Sequence, residues 1–305
     1  MRKLSLLAVV LLLSTLLAGR AQAATPPQPV YLPTVLSAPL QIAFMGNTVQ
    51  WEPYQIYTAY ADGSRVVRLT DPAMGEHNWP AWSPDGSRIA FFTYTGTWDG
   101  DLFLMAADGS RQVLAGKVGI GNGSQMRWSP DGQRIAYMLR WRINSNAYVF
   151  DLAGDTTTKL GVYIPGGLAW SPDGQRLAYI NQYWDVQTSL LDETEPFTMT
   201  TTPTRWESGV AWSPDGTQLA FTAGKDLYLI NSDGSNERLL TSEPDASLIE
   251  DPTWSPDGKL IAYSARPSVV DAPDSSVIII GADGTGKYKL QTGLHSIKGL
   301  SWRPR

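Results

Sequence analysis

No cysteine occurs in the 305 residues, so neither a disulfide nor a thiolate nucleophile or metal ligand is available, and stability has to come from buried area. Histidine is almost as scarce, with His77 and His295 the only two. No Gly-x-Ser-x-Gly elbow occurs, so the usual nucleophilic triads have no motif to rest on. A Gly-rich loop followed by Lys-Ser or Lys-Thr, the phosphate cradle, is missing too. Positive charge is in deficit, with 24 basic against 29 acidic residues. That balance argues against a nucleic-acid partner, whose phosphates demand a basic face, and against a polybasic lipid-binding patch.

Long apolar runs are confined to the N-terminus. Arg2 and Lys3 precede the stretch Leu4 to Leu17, and Ala21-Gln22-Ala23 offers a small-x-small cleavage site, so residues 1–23 read as a cleaved export signal. The run is shorter than the roughly 18 residues of a membrane span and is broken by Gly19-Arg20. The mature chain is therefore expected outside the cytoplasm, periplasmic or secreted, without a membrane anchor. Loss of Arg2, Lys3 and Arg20 would move its formal net charge from −5 to −8. Residues 24–40 carry five prolines and no periodicity, the composition of an extended spacer.

What the chain has in abundance is repetition. Trp82-Ser-Pro-Asp-Gly86 recurs at Trp128, Trp170, Trp212 and Trp254, with spacings of 46, 42, 42 and 42 residues. Each copy is followed by a short alternating strand such as Arg88-Ile-Ala-Phe91 or Arg176-Leu-Ala-Tyr179. Proline pre-sets φ, aspartate bonds its own backbone and glycine accepts positive φ, so the motif closes a tight turn between two strands, A and B. Asp-Gly pairs at Asp62, Asp108, Asp233 and Asp283 mark a second turn, between strands C and D; the fourth repeat lacks it between Gln182 and Thr202. Four strands in about 42 residues make one propeller blade. Gln41-Ile-Ala-Phe44 is a strand B without its A, and Leu300-Ser-Trp302 an A without its B. Joined, they complete an all-β, six-bladed propeller over residues 41–305, closed by the C-terminal strand and free of open edges.

These motifs resemble the TolB-like, or WD-like, propeller repeat, over about residues 41–304. The resemblance implies the fold and, by analogy with partner-binding TolB-like propellers, a role in binding protein. Oligogalacturonate lyases carry a similar repeat, but with a larger histidine cluster at the channel than two histidines can supply. The chain differs from TolB proper in showing only the proline-rich segment, and no α/β domain, ahead of the first blade.

With strand A innermost, the D-to-A and B-to-C loops share one face of the disk. Six tryptophans occupy the repeat position and read as packing between blades. The other six, Trp51, Trp79, Trp98, Trp141, Trp184 and Trp206, all fall in loops of that one face or at their edges. Loops on a rigid scaffold are where binding residues collect, so these are candidate contacts. Glu76, His77, Glu207, Glu250, Asp251 and Lys298 precede repeat tryptophans and are expected to rim the channel mouth on the same face, giving it an acidic character. Its carboxylates offer oxygen ligands of the kind calcium takes, although a solvated rim is the commoner outcome; no other cofactor is expected. His77 and His295 lie five and seven residues before their tryptophans in neighbouring blades.

The leading expectation is a non-catalytic scaffold that presents this face to a protein or peptide of the cell envelope. The alternative is a carbohydrate-binding or carbohydrate-cleaving propeller, with Trp51, Trp98, Trp141 and Trp184 as stacking platforms.

Overall fold

A computed structural model describes residues 39–94, 99–120, 122–141, 144–202, 205–268 and 275–305. Six four-stranded antiparallel sheets account for nearly all of them, and the helical residues among them form one 3₁₀ turn, Pro72–Met74. Within each sheet the strands follow chain order, as in the second blade: Glu76–Trp82, Arg88–Tyr94, Asp99–Ala106 and Val113–Ile120. The exception is the first blade, where the last strand, Ser296–Trp302, pairs with Gln41–Asn47. The innermost strands contact one another around the whole circle, so the ring closes as the sequence predicts.

The repeat turn is built as its composition requires. In the second blade Gly86 donates its N–H to Ser83 O at 2.9 Å with φ 63°, and the Asp85 carboxylate accepts from Ser83 Oγ and from Ser87 N–H. The same serine hydrogen bond recurs at Asp131, Asp173 and Asp215, and it holds all four carboxyls below the ordinary carboxylate range, Asp85 at about 2.

Five of the six repeat tryptophans are buried, with Trp212 half-buried. Four of their indole N–H groups stitch blade to blade. Trp128 donates to Ala81 O, Trp170 to Arg127 O, Trp254 to Ala211 O and Trp302 to Thr253 O, at 3.0 to 3.3 Å. An arginine of the preceding blade covers three of these rings, Arg303 over Trp82, Arg88 over Trp128 and Arg134 over Trp170, about 5 Å from the centroid. A single residue type thus supplies apolar area, a hydrogen bond and a cation–π contact at the same joint.

The fourth blade keeps its C-to-D turn without the glycine. Asp192 accepts from Thr194 N–H at 3.0 Å, and Glu193 takes the left-handed position, φ 65°, that Gly63, Gly109, Gly234 and Gly284 fill in four of the other blades. Its divergence lies in the sequence of the turn and not in the architecture.

Candidate functional site

Every innermost strand carries a β-bulge shortly before its tryptophan. The residue three places ahead of the tryptophan is in turn Trp79, Gln125, Gly167, Gly209, Asp251 and Gly299. All but Gly209 have φ between 41° and 64°, and a bulge of this kind turns the chain and re-aims a side chain. Small residues are forced at half of these positions: a Cβ on Gly209 would lie 2.6 Å from Pro252 Cδ, and one on Gly299 would press on the Trp79 ring at 3.2 Å.

The three large members of this ring fill the lumen. Gln125 Nε2 donates to Asp251 Oδ1 at 2.9 Å. The third and sixth blades face each other across a six-membered ring, so this bond crosses the channel. Gly299 N–H donates to Asp251 Oδ2 at 3.3 Å, and Arg127 faces the same carboxylate, its guanidinium donating to Met126 O at 3.0 Å. Burial pushes the Asp251 carboxyl up and the Arg127 guanidinium down from their ordinary values; the charge of each partly offsets the shift of the other.

Above this floor opens a funnel of about 670 Å³ on the face of the D-to-A and B-to-C loops. Trp79, Trp184, Trp206, Glu207, Glu250, Asp251 and Lys298 all line it. Trp184 and Trp206 stack with centroids 6.0 Å apart, and Trp206 and Tyr183, the residue before Trp184, are each 72% exposed. Trp51, at 90% exposure, stands on the B-to-C loop of the first blade and does not line the funnel. Trp51, Trp79 and Trp184 share one further property, a left-handed backbone with φ of 71°, 56° and 67°. For a bulky residue such a conformation costs of order 1 kcal/mol or more, and such strain collects at binding sites. Trp98 and the side chain of Trp141 lie outside the described residues.

The acidic rim expected from the sequence takes a different form. Glu207 is fully buried, bound by Thr200 at 2.8 Å, Thr202 at 3.1 Å and Arg205 at 3.2 Å. Burial nevertheless pushes its carboxyl up. Arg205 also grips Glu237 at 2.7 Å and lies over the Tyr228 ring, and these carboxylates hold its guanidinium charged against the cost of burial. Glu250 pairs with Arg266 at 3.6 Å, and Glu76 accepts from Asn78 Nδ2 at 3.1 Å. Among the described residues the carboxylates of the funnel and its floor are thus answered by Arg205, Arg266 and Arg127, none of the acids being left as an open cluster. Two of these cations, Arg205 and Arg266, carried no signal in the sequence beyond their place in a loop.

His77 does not reach the mouth. It is 2% exposed, bonded through Nδ1 to Thr93 Oγ1 at 3.0 Å and packed edge-on against Phe91. No group of three or more His, Asp or Glu residues is placed to hold a metal among the described residues. Burial lowers the His77 imidazole, so the folded chain holds it neutral while the unfolded chain takes a proton below its usual value of 6.5. Stability is therefore expected to fall as pH drops through about 6.5, by about 1.4 kcal/mol for each pH unit by which the folded value is depressed. Denaturant midpoints at pH 7.5 and 5.5 should diverge less in His77→Gln than in the parent; an unchanged gap would remove His77 as the cause.

The sequence model of the TolB beta propeller domain matches residues 39–305. None of the curated proteins matches the chain. Among solved structures, TolB from Acinetobacter baumannii superposes with a TM-score of 0.75 at 18% identity, over 87% of this chain and 67% of that one. A putative TolB from Agrobacterium tumefaciens gives 0.62 at 19% identity, over 88% and 100%. An oligogalacturonate lyase in complex with manganese gives 0.51 at 17% identity, over 83% and 73%. At these identities the likenesses establish the fold alone, and one of the three structures carries the name of an enzyme.

Proposed function

The chain belongs to the TolB beta propeller family, and on that premise we propose that it is an exported, non-catalytic scaffold whose funnel face engages a protein or peptide of the cell envelope. The carrying observation is the stacked Trp184 and Trp206 pair at the rim of the funnel; Tyr183, next to Trp184 in the chain, is exposed as well. Large aromatic faces left in water cost solvation free energy, and they are the residue type that dominates protein interfaces when covered. The strained backbone under Trp79 and Trp184 supports the same reading, because it holds each ring where packing alone would not put it. Export is supported by the charged start, apolar run and small-x-small site of residues 1–23.

A carbohydrate-binding or lyase-like role draws less support. Trp184 has one face taken by Trp206, and Trp51 stands away from the funnel, so these two do not form a shared platform. The matched carboxylates likewise leave no isolated acid–base pair at the mouth.

The immobilised chain should retain a protein from a native envelope extract. Retention should weaken by about 30-fold when Trp184 and Trp206 are both changed to Ala, the effect of losing about 2 kcal/mol at an interface hot spot. Undiminished retention by the double variant, with its thermal unfolding unchanged, would place the binding surface elsewhere.

A further inference from the structure

The floor of the funnel carries more positive charge than its carboxylate is placed to neutralise. Both oxygens of Asp251 are engaged by uncharged donors, Gln125 Nε2 on one and Gly299 N–H on the other. Two cations face this single acid, Arg127 and Lys298. Lys298 lines the funnel half-buried and forms no ion pair among the described residues. The position of its ammonium is nevertheless fixed: it lies 4.7 Å from the centroid of the Tyr54 ring, and the Tyr54 hydroxyl is tied to the buried Ser296 Oγ at 3.1 Å. The other cations of the lining are already matched, Arg205 by Glu207 and Glu237, Arg266 by Glu250.

The sign of the floor does not depend on the state of Asp251. With its carboxyl ionised, one negative charge faces two positive ones; burial favours the neutral form, which would leave the floor more positive still. The surplus of about one charge suits a singly charged guest, and Lys298 offers a point charge and not the planar fork that selects phosphate. An apolar surface adjoins it, since the Trp79 ring lies against Gly299, the next residue in the chain.

We propose that Lys298 seats a carboxylate of the partner: an extended peptide segment enters the funnel with its C-terminal carboxylate or an Asp or Glu side chain on the Lys298 ammonium, and an apolar side chain against Trp79. This rests on the protein-binding reading above and adds the chemistry the funnel selects.

Three small probes test it on the full chain: acetyl-Ala-Phe with a free carboxylate, acetyl-Ala-Phe-amide and acetyl-Asp-Phe-amide, each titrated against the lysine side-chain resonances. The acids should bind about tenfold tighter than the neutral amide, as a charge-assisted contact of this kind provides. They should also shift the Lys298 signal, identified by its loss in Lys298→Gln. Lys298→Gln should erase the preference and Lys298→Arg should keep most of it. The stronger of the two acids tells a chain terminus from a side chain. Equal binding of acids and amide, or a preference that survives Lys298→Gln, would overturn the carboxylate seat while leaving the peptide-binding face intact. Failure of all three probes, with an oligogalacturonide shifting the funnel resonances instead, would overturn both the seat for a peptide and the protein-binding reading.

Discussion

A chain ending at Leu294 should fail to unfold as one cooperative unit. The deletion removes the strand Ser296–Trp302, which is the innermost strand of the first blade and the closure of the ring. With it go the buried Ile297, Leu300 and Trp302 side chains, and the Trp302 indole bond to Thr253 O. The Ser301 hydroxyl that accepts from Trp82 N–H is lost, and so is Arg303, which covers the Trp82 ring and bonds Gly86 O. Full burial of each aliphatic side chain is worth roughly 1.5–3 kcal/mol, and loss of a buried Trp costs about 3–5 kcal/mol. The sum is comparable to the whole stability of a domain, roughly 5–15 kcal/mol. One strand edge would also open, at Gln41–Asn47, and the face of the sixth blade that packs against Ser296–Trp302 would lose its cover, both inviting association. Calorimetry of the shortened chain should show a broad or absent transition. Trp302→Ala alone should lower Tm by roughly 10 °C, given about 2–4 °C per kcal/mol at this size. A sharp, parent-like transition in the shortened chain would contradict closure by this strand.

Asp251→Ala should be the most damaging single change at the site itself. It leaves the Arg127 guanidinium without its facing carboxylate and Gln125 Nε2 and Gly299 N–H without their acceptor, all close to the axis of the ring. Removing one partner of a buried charge pair costs roughly 3–5 kcal/mol, because the remaining charge stays desolvated. Asp251→Ala with Arg127→Met should recover a large part of that loss, since no buried charge then remains. Urea midpoints of the parent, both single variants and the double variant give the coupling directly. A loss below about 0.5 kcal/mol, the range of an ordinary surface substitution, would mean that the plug is solvated and the pair has little weight.

The ring was legible because one motif does several jobs at once. Trp-Ser-Pro-Asp-Gly fixes the A-to-B turn and the blade-to-blade joint, so its spacing gives the blade and its truncated ends give the closure. The lumen was legible only in part. Counting three places back from each tryptophan names Trp79, Gln125 and Asp251, yet spacing does not say that Gln125 and Asp251, 126 residues apart, meet across the axis. Asp251 and Glu207 therefore read as solvent-facing rim acids, while the fold buries both and answers them with Gln125 and Arg205. Arg127 went unnoticed although the frame exposes it: the residue before the tryptophan is Ala, Ala, Ala, Thr or Ser in the other blades. His77 was placed at the mouth by its loop position, but the strand Glu76–Trp82 begins earlier than the repeat suggests and carries it inside. The left-handed tryptophans had no sequence signal at all, since residue preference assigns that conformation to glycine or asparagine.

The central claim, that the funnel face is the binding surface, is tested most directly by hydrogen exchange of the chain with and without its captured partner. The account predicts slowed exchange in the segments 183–185, 205–208, 248–251 and 297–299, with the repeat turns at 83–86, 129–132 and 171–174 unchanged. Protection of those turns, on the opposite face, with the funnel segments unaltered would contradict it.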